Sequence, residues 1–202
     1  MKKRMRLLLL TIFTGVLFAS SLTVFAEDKN SFNVEMETEY VSDTCRVEGI
    51  TTTIAGSYVT RKTRGLVVIS SRDELRQTFN VPKYCGKDFW INFYDADTKS
   101  PQAVAVLSKA AADLGWEIGP AFTVELGVTS YDKDFTLLPS NVGPARMLVG
   151  IPHGFFDRSK TYALISVREG GATTVHPDLD TNPWSVTFDT TGGAATYAIV
   201  RY

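Results

Sequence analysis

The chain has little of what most enzyme chemistries require. Of its 202 residues, two are cysteine and two are histidine. Cys45 and Cys85 lie too far apart in sequence for a Cys-x-x-Cys redox or zinc pair. His153 and His176 each adjoin a proline and share no ligand spacing, whereas a zinc site needs three or four donors. Each is expected to be a loop histidine. The sequence has no His-Glu-x-x-His, no Gly-x-Ser-x-Gly elbow and no glycine-rich phosphate loop. Charge of one sign is missing too: 21 basic residues face 22 acidic ones, for a formal net charge of −1, so no basic field exists for nucleic acid. The one long apolar run, Leu7 to Phe18, is shorter than the roughly 18 to 20 residues that span a bilayer.

That run is preceded by Met1-Lys2-Lys3-Arg4-Met5-Arg6 and followed by Val24-Phe25-Ala26, the order of a secretory signal with a small residue before the cut. Residues 1–26 are therefore expected to be a cleaved signal peptide, which makes the product secreted and extracellular, with no stable membrane insertion. Cleavage leaves 176 of the 202 residues, one ordinary domain, and removes four cations, taking the formal net charge from −1 to −5. Outside the cell thiols tend to oxidise, so a Cys45–Cys85 disulfide is expected. The chain-entropy model gives such a loop on the order of 4 kcal/mol.

Short strand signals fill the mature chain. Residues 33–41 alternate apolar and acidic side chains; β-rich segments follow at 51–54, 57–60 and 66–69. Ser71 and Glu74 form a capping-box pattern for a short helix over about 72–79. Phe89 to Tyr94 is dense in aromatic and β-branched residues, as a buried strand is. A clear helix over about 100–114 begins at Ser100-Pro101 and stops before Gly115, with small residues that let it lie close on a sheet. Strands are expected again at 122–126, 135–138, 146–151, 161–167, 184–188 and 196–200. This is a mainly β pattern and favours an antiparallel sandwich with one packed helix. Residues 27–202 form one domain, with 33–85 either part of it or a distinct N-terminal β-region.

The run Lys160 to Val167, then Gly170-Gly171-Ala172-Thr173-Thr174-Val175, Asp178 to Pro183, Thr187-Phe188-Asp189-Thr190 and Tyr197 to Val200 resembles the closing segment of immunoglobulin-like β-sandwich domains. Such domains recur in an uncharacterised secreted family of Gram-positive anaerobic bacteria. Ser108 to Gly119, with Ala110-Ala111-Ala112 and Leu114-Gly115-Trp116, resembles the matching helix, so the likeness covers roughly residues 50 to 202. It implies a fold and a cell-surface address and brings no catalytic residues with it.

No catalytic set is legible. Asp178, Asp180 and Asn182 present oxygens at alternate positions, and Asp189 falls where a twelfth-position calcium ligand would, but Pro183 stands where the loop requires glycine. The plainer expectation is an inter-strand turn whose side chains bond their own backbone. Asp95-Ala96-Asp97 reads as a turn, and a hydrolytic role for it would need a distant second carboxylate. Trp90, Trp116 and Trp184 offer stacking faces, with Trp116 first because it follows a helix-ending glycine. Arg61, Lys62 and Arg64 read as a solvated turn, or as a site for an anionic polymer. The leading functional expectation is a non-enzymatic extracellular module for a glycan or protein, with no cofactor. A hydrolase whose carboxylates converge on folding, and an assembly unit pairing through edge strands, are the alternatives.

Overall fold

The fold follows from strands that alternate their side chains between two differently covered faces. The computed structural model describes residues 39–42, 45–52, 54–130 and 134–202. Residues 1–26 and most of the first expected strand lie outside them. The described residues fall almost wholly in one compact unit, Tyr40–Tyr202. They form β1 (Glu39–Ser42), β2 (Arg46–Val47), β3 (Ile50–Thr51), β4 (Ala55–Val59), β5 (Leu66–Val68), α1 (Arg72–Thr78), β6 (Lys87–Asp95), α2 (Ala96–Lys99) and α3 (Pro101–Asp113). After α3 come β7 (Glu117–Ser130), β8 (Phe135–Leu137), β9 (Ala145–Gly150), β10 (Tyr162–Val167), β11 (Thr173–Pro177), β12 (Ser185–Thr190) and β13 (Gly193–Arg201).

An eight-stranded open sheet runs β1-β4-β6-β7-β13-β10-β11, and β8 pairs with β7 beyond the start of β13. A three-stranded sheet runs β12-β9-β5, and β2 with β3 forms a small ribbon. The protein is thus mainly β, and the expected all-antiparallel pairing has an exception: β4 and β6 run parallel, joined by a crossover that contains β5 and α1. The core lies where the two larger sheets face each other. Phe89, Ile91 and Phe93 of β6, Phe122, Val124 and Leu126 of β7, and Tyr197 and Ile199 of β13 meet Leu66, Val68, Met147, Val149, Val186 and Phe188 in one buried cluster. Each such side chain contributes about 1.5–3 kcal/mol when fully buried.

The opposite face of the large sheet carries α3. Leu107 and Ala111 are buried against Ala121, Ile165, Ala198 and Val200, and the small residues seat the helix closely. Its ends match the sequence signals. Pro101 occupies the first turn, and Gly115 (φ 70°) closes a Schellman motif in which Trp116 N–H donates to Ala111 O at 2.9 Å and Gly115 N–H to Ala112 O at 3.0 Å. α1 likewise has its capping box, with Ser71 N–H donating to Glu74 Oε2 at 2.7 Å and Glu74 N–H to Ser71 Oγ at 3.2 Å. Three elements were not expected from the sequence, the first being the two-residue strand β2. α2 arises where Asp95-Ala96-Asp97 reads as a turn, and β11 is a mostly exposed polar edge strand. His176, expected in a loop, lies on it.

Among the described residues, no helix is long and apolar enough to cross a membrane.

Candidate functional site

Where α3 stops covering the large sheet, the same face becomes polar. Strand register sets its side chains in two rows: Asn92 of β6 opposite Glu125 of β7 and then Ala194 of β13, and Tyr94 opposite Thr123 and then Thr196. The Glu125 carboxylate accepts from Asn92 Nδ2 at 3.0 Å and from the Tyr94 hydroxyl at 3.0 Å. Thr123 and Thr196 hydroxyls lie 3.0 Å apart, and Ala194 leaves room above the floor. Gln102 and Val106 of α3 make one wall, and the β10–β11 turn with Arg168 and Glu169 makes the other. The result is an open groove of about 470 Å³, within the usual size for a small-ligand site.

Its electrostatics are local. Burial, and then the neighbouring Glu125 carboxylate, push the Tyr94 hydroxyl above its ordinary pKa, so it stays a hydrogen-bond donor. Lys99 Nζ sits 4.7 Å from the centre of the Tyr94 ring. The Arg168 guanidinium clamps the β12–β13 turn, donating to Gly192 O and Ala194 O at 3.0 Å and to Thr190 Oγ1 and Thr191 O at 3.2 Å. Hydroxyls and one carboxylate on a rigid sheet suit the recognition of a polar, hydroxyl-bearing molecule.

A serine–histidine pair exists, on the other face. Ser166 Oγ lies 2.8 Å from His176 Nε2, beside Phe188 and Tyr197. Ser166 is only 4 % exposed and does not line the groove over Glu125. A nucleophile needs substrate access as well as a base. Burial, with Arg168 adding to it, holds the His176 imidazole below its usual pKa, so the bond is a neutral tie within the core.

The residues singled out in the sequence are dispersed. Trp116 is partly buried and its ring stacks on Tyr202 at 4.4 Å, so one stacking face is already taken. Lys62 pairs with Asp97, Arg64 lies 2.8 Å from Glu48 Oε1, and Arg61 N–H donates to Asp95 Oδ2 at 2.6 Å, which ties the basic turn to the start of α2. Asp178 Oδ1 accepts from Asp180 N–H at 3.2 Å and Thr187 N–H at 2.9 Å; Asp180 Oδ1 accepts from Asn182 N–H at 2.7 Å, and Asn182 Oδ1 from Trp184 N–H at 3.1 Å. Asp180 also takes the Thr187 hydroxyl, and Asp189 forms a bidentate pair with Arg146, both contacts at 2.9 Å. These oxygens serve backbone N–H groups and a guanidinium, as a chain of Asx turns does. Among the described residues, no three His, Cys, Asp or Glu side chains are placed to hold a metal ion.

The expected Cys45–Cys85 disulfide is not formed. Cys45 is a free thiol packed beside Val47, Val67 and Leu148, while Cys85 is a free thiol exposed in the turn before β6. Burial pushes the Cys45 thiol above its ordinary pKa. Sequence proximity to an oxidising compartment says nothing about whether two Cβ atoms face each other, and here they belong to separate regions. Asn92, Tyr94, Thr123, Glu125 and Thr196 went unnoticed in the sequence because they read as the wet positions of ordinary strands. Their only signal was that a carboxylate, an amide and a tyrosine stood on the same alternating face.

The chain matches no protein-family model, no curated protein and no solved structure.

Proposed function

We propose that this protein is an exported, non-enzymatic binding module of immunoglobulin-like β-sandwich architecture, and that a short stretch of glycan occupies the groove over Glu125. Export is carried by the signal pattern in residues 1–26, and the sandwich reading by two open sheets that share one core. The observation that carries the function is the Glu125 carboxylate, held by Asn92 and Tyr94 beside the paired Thr123 and Thr196 hydroxyls in an open trough. A carboxylate pre-oriented by two donors keeps lone pairs for vicinal hydroxyls, and an open groove leaves room for more than one sugar unit.

Titration calorimetry of the mature chain against a panel of neutral oligosaccharides tests it. Binding of one sugar class is expected, weakened about tenfold or more in Glu125→Gln, since bonds to a charged group contribute about 1.5–3 kcal/mol. Thr196→Val should weaken it less. Affinity unchanged by Glu125→Gln, or no binding across the panel, would sink the proposal. Glu169 lines the same groove as Glu125 and supports a second reading, a glycan hydrolase using both carboxylates. Release of reducing sugar that disappears in both Glu125→Gln and Glu169→Gln would replace binding with catalysis.

A further inference from the structure

The cations that stand out in the sequence and the cations that the fold leaves unpaired are different ones. Lys62 and Arg64 meet Asp97 and Glu48, whereas Lys83 and Lys87 make no ion pair among the described residues. Both stand in or beside the turn between α1 and β6, flanking Tyr84, whose side chain is 92 % exposed. The turn itself is firmly held. Arg76 of α1 donates to Pro82 O at 3.1 Å, lies 5.7 Å from the centre of the Phe89 ring and 3.6 Å from Asp88 Oδ1, and keeps only 15 % of its side chain exposed. Cys85 N–H donates to Pro82 O at 3.3 Å, and Gly86 supplies the positive φ of 73°. With Thr129 and Ser130 at the end of β7, these residues line an open groove of about 440 Å³. Its charged lining is Arg76, Lys83 and Lys87 against Asp88, an excess of positive charge on a mature chain that is acidic as a whole. Asp134, on the adjoining hairpin, does not line it.

We propose that this groove is a second binding site and that it takes a tetrahedral oxyanion ester, phosphate or sulfate, carried on a sugar or polyol. Two exposed ammonium groups and a fixed guanidinium supply charged donors, and the hydroxyls of Thr129 and Ser130 add neutral ones. An exposed tyrosine between the lysines offers a flat face for the apolar side of a sugar ring. The site shares no lining residue with the groove over Glu125, so it stands or falls independently of the proposed function.

The test is equilibrium binding of the mature chain to polyglycerol phosphate, to heparin and to neutral dextran, at low and at physiological ionic strength. One or both anionic polymers should bind and dextran should not; whichever binds more tightly identifies phosphate or sulfate as the preferred ester. The double variant Lys83→Ala/Lys87→Ala should bind roughly five- to thirtyfold more weakly, as two exposed charge contacts would give. It should also flatten the salt dependence by about one unit of slope per lysine. Tyr84→Ala should weaken heparin binding, and Glu125→Gln should leave it unchanged. Because both variants at the groove alter exposed side chains, an unchanged melting temperature confirms that they fold. The proposal is overturned if neither polymer binds at low salt, if the double variant binds as well as the parent, or if an oligonucleotide of equal charge binds more tightly than both polymers.

Discussion

Replacing Gly56 with alanine sets two effects against each other, and the geometry decides between them. Alanine has less conformational freedom than glycine in the unfolded chain, which at an unstrained position stabilises by about 0.4–1 kcal/mol. In β4, however, a Cβ on residue 56 would stand 1.8 Å from the carbonyl oxygen of Ile91 on the parallel partner β6. The obstacle is backbone, so no rotamer change relieves it. The strands must part by about 1 Å or more from a normal spacing of about 4.8 Å, which stretches ladder hydrogen bonds beyond good geometry. Overpacking of this kind costs about 1–3 kcal/mol, and weakened ladder bonds add about 1 kcal/mol each. The net expectation is a loss of about 2–4 kcal/mol from a domain whose total stability is of order 5–15 kcal/mol. In urea, with a slope near 2 kcal/mol/M, the midpoint should fall by about 1–2 M. Gly154→Ala is the matched control, because no atom lies within 4 Å of its added Cβ and its φ is not left-handed. It should be neutral or slightly stabilising. A Gly56→Ala midpoint within about 0.25 M of the parent would refute the reasoning, since the close β4–β6 approach would then not exist in solution.

Other outcomes follow from single contacts. A thiol reagent should titrate Cys85 at once in the native protein and Cys45 only slowly or on unfolding, because one is exposed and the other packed; no reaction before reduction would restore the disulfide. Leu107→Ala removes the larger of the two fully buried α3 side chains and should cost about 2–5 kcal/mol by denaturation, while loosening the wall of the Glu125 groove. His176 binds protons less readily folded than unfolded, so its contribution to stability is complete above about pH 6.5 and declines as the pH falls through its lowered folded value. The urea midpoint should drop between about pH 7 and 5.5, and less so in His176→Gln. Tyr58 donates to Ile54 O at 2.9 Å and burial pushes its hydroxyl up to about 12. Its stabilisation is complete below about pH 10 and is lost as the pH rises from there through about 12, which absorbance titration of phenolate formation would reveal.

How much was legible depends on the range over which each signal acts. The capping box at Ser71 and Glu74 and the Pro101–Gly115 punctuation of α3 are interactions within a few residues, and both are present in the fold. Phe89 to Tyr94 reads as a strand because every other residue in it is buried. β11 was missed for the converse reason. It is an edge strand with few buried side chains, held by its pairing with β10 and by His176 reaching Ser166, and polarity alone looks like a turn. β7 is longer than its apolar centre suggests, because Glu117 and Ile118 pair with β13 and Thr129 and Ser130 pair with β6.

The same distinction separates the sites. Asp178, Asp180 and Asn182 could be weighed as metal ligands or as Asx turns from spacing, yet only the loop's path shows their oxygens turned onto Thr187, Asn182 and Trp184. The basic turn Arg61 to Arg64 looked free of acids because Glu48 and Asp97 lie far from it in sequence. By itself the sequence determined the mainly β character, the two capped helices and the turns, because those rest on side-chain alternation and on bonds between near neighbours. Tertiary structure alone decided that Tyr94 and Glu125 share a groove with Asn92 bonded to the carboxylate, that Lys83 and Lys87 have no ion pair among the described residues, and that the two cysteines stay apart. Each of these depends on strand order and register, and those are set by how two sheets and a helix bury their apolar faces together.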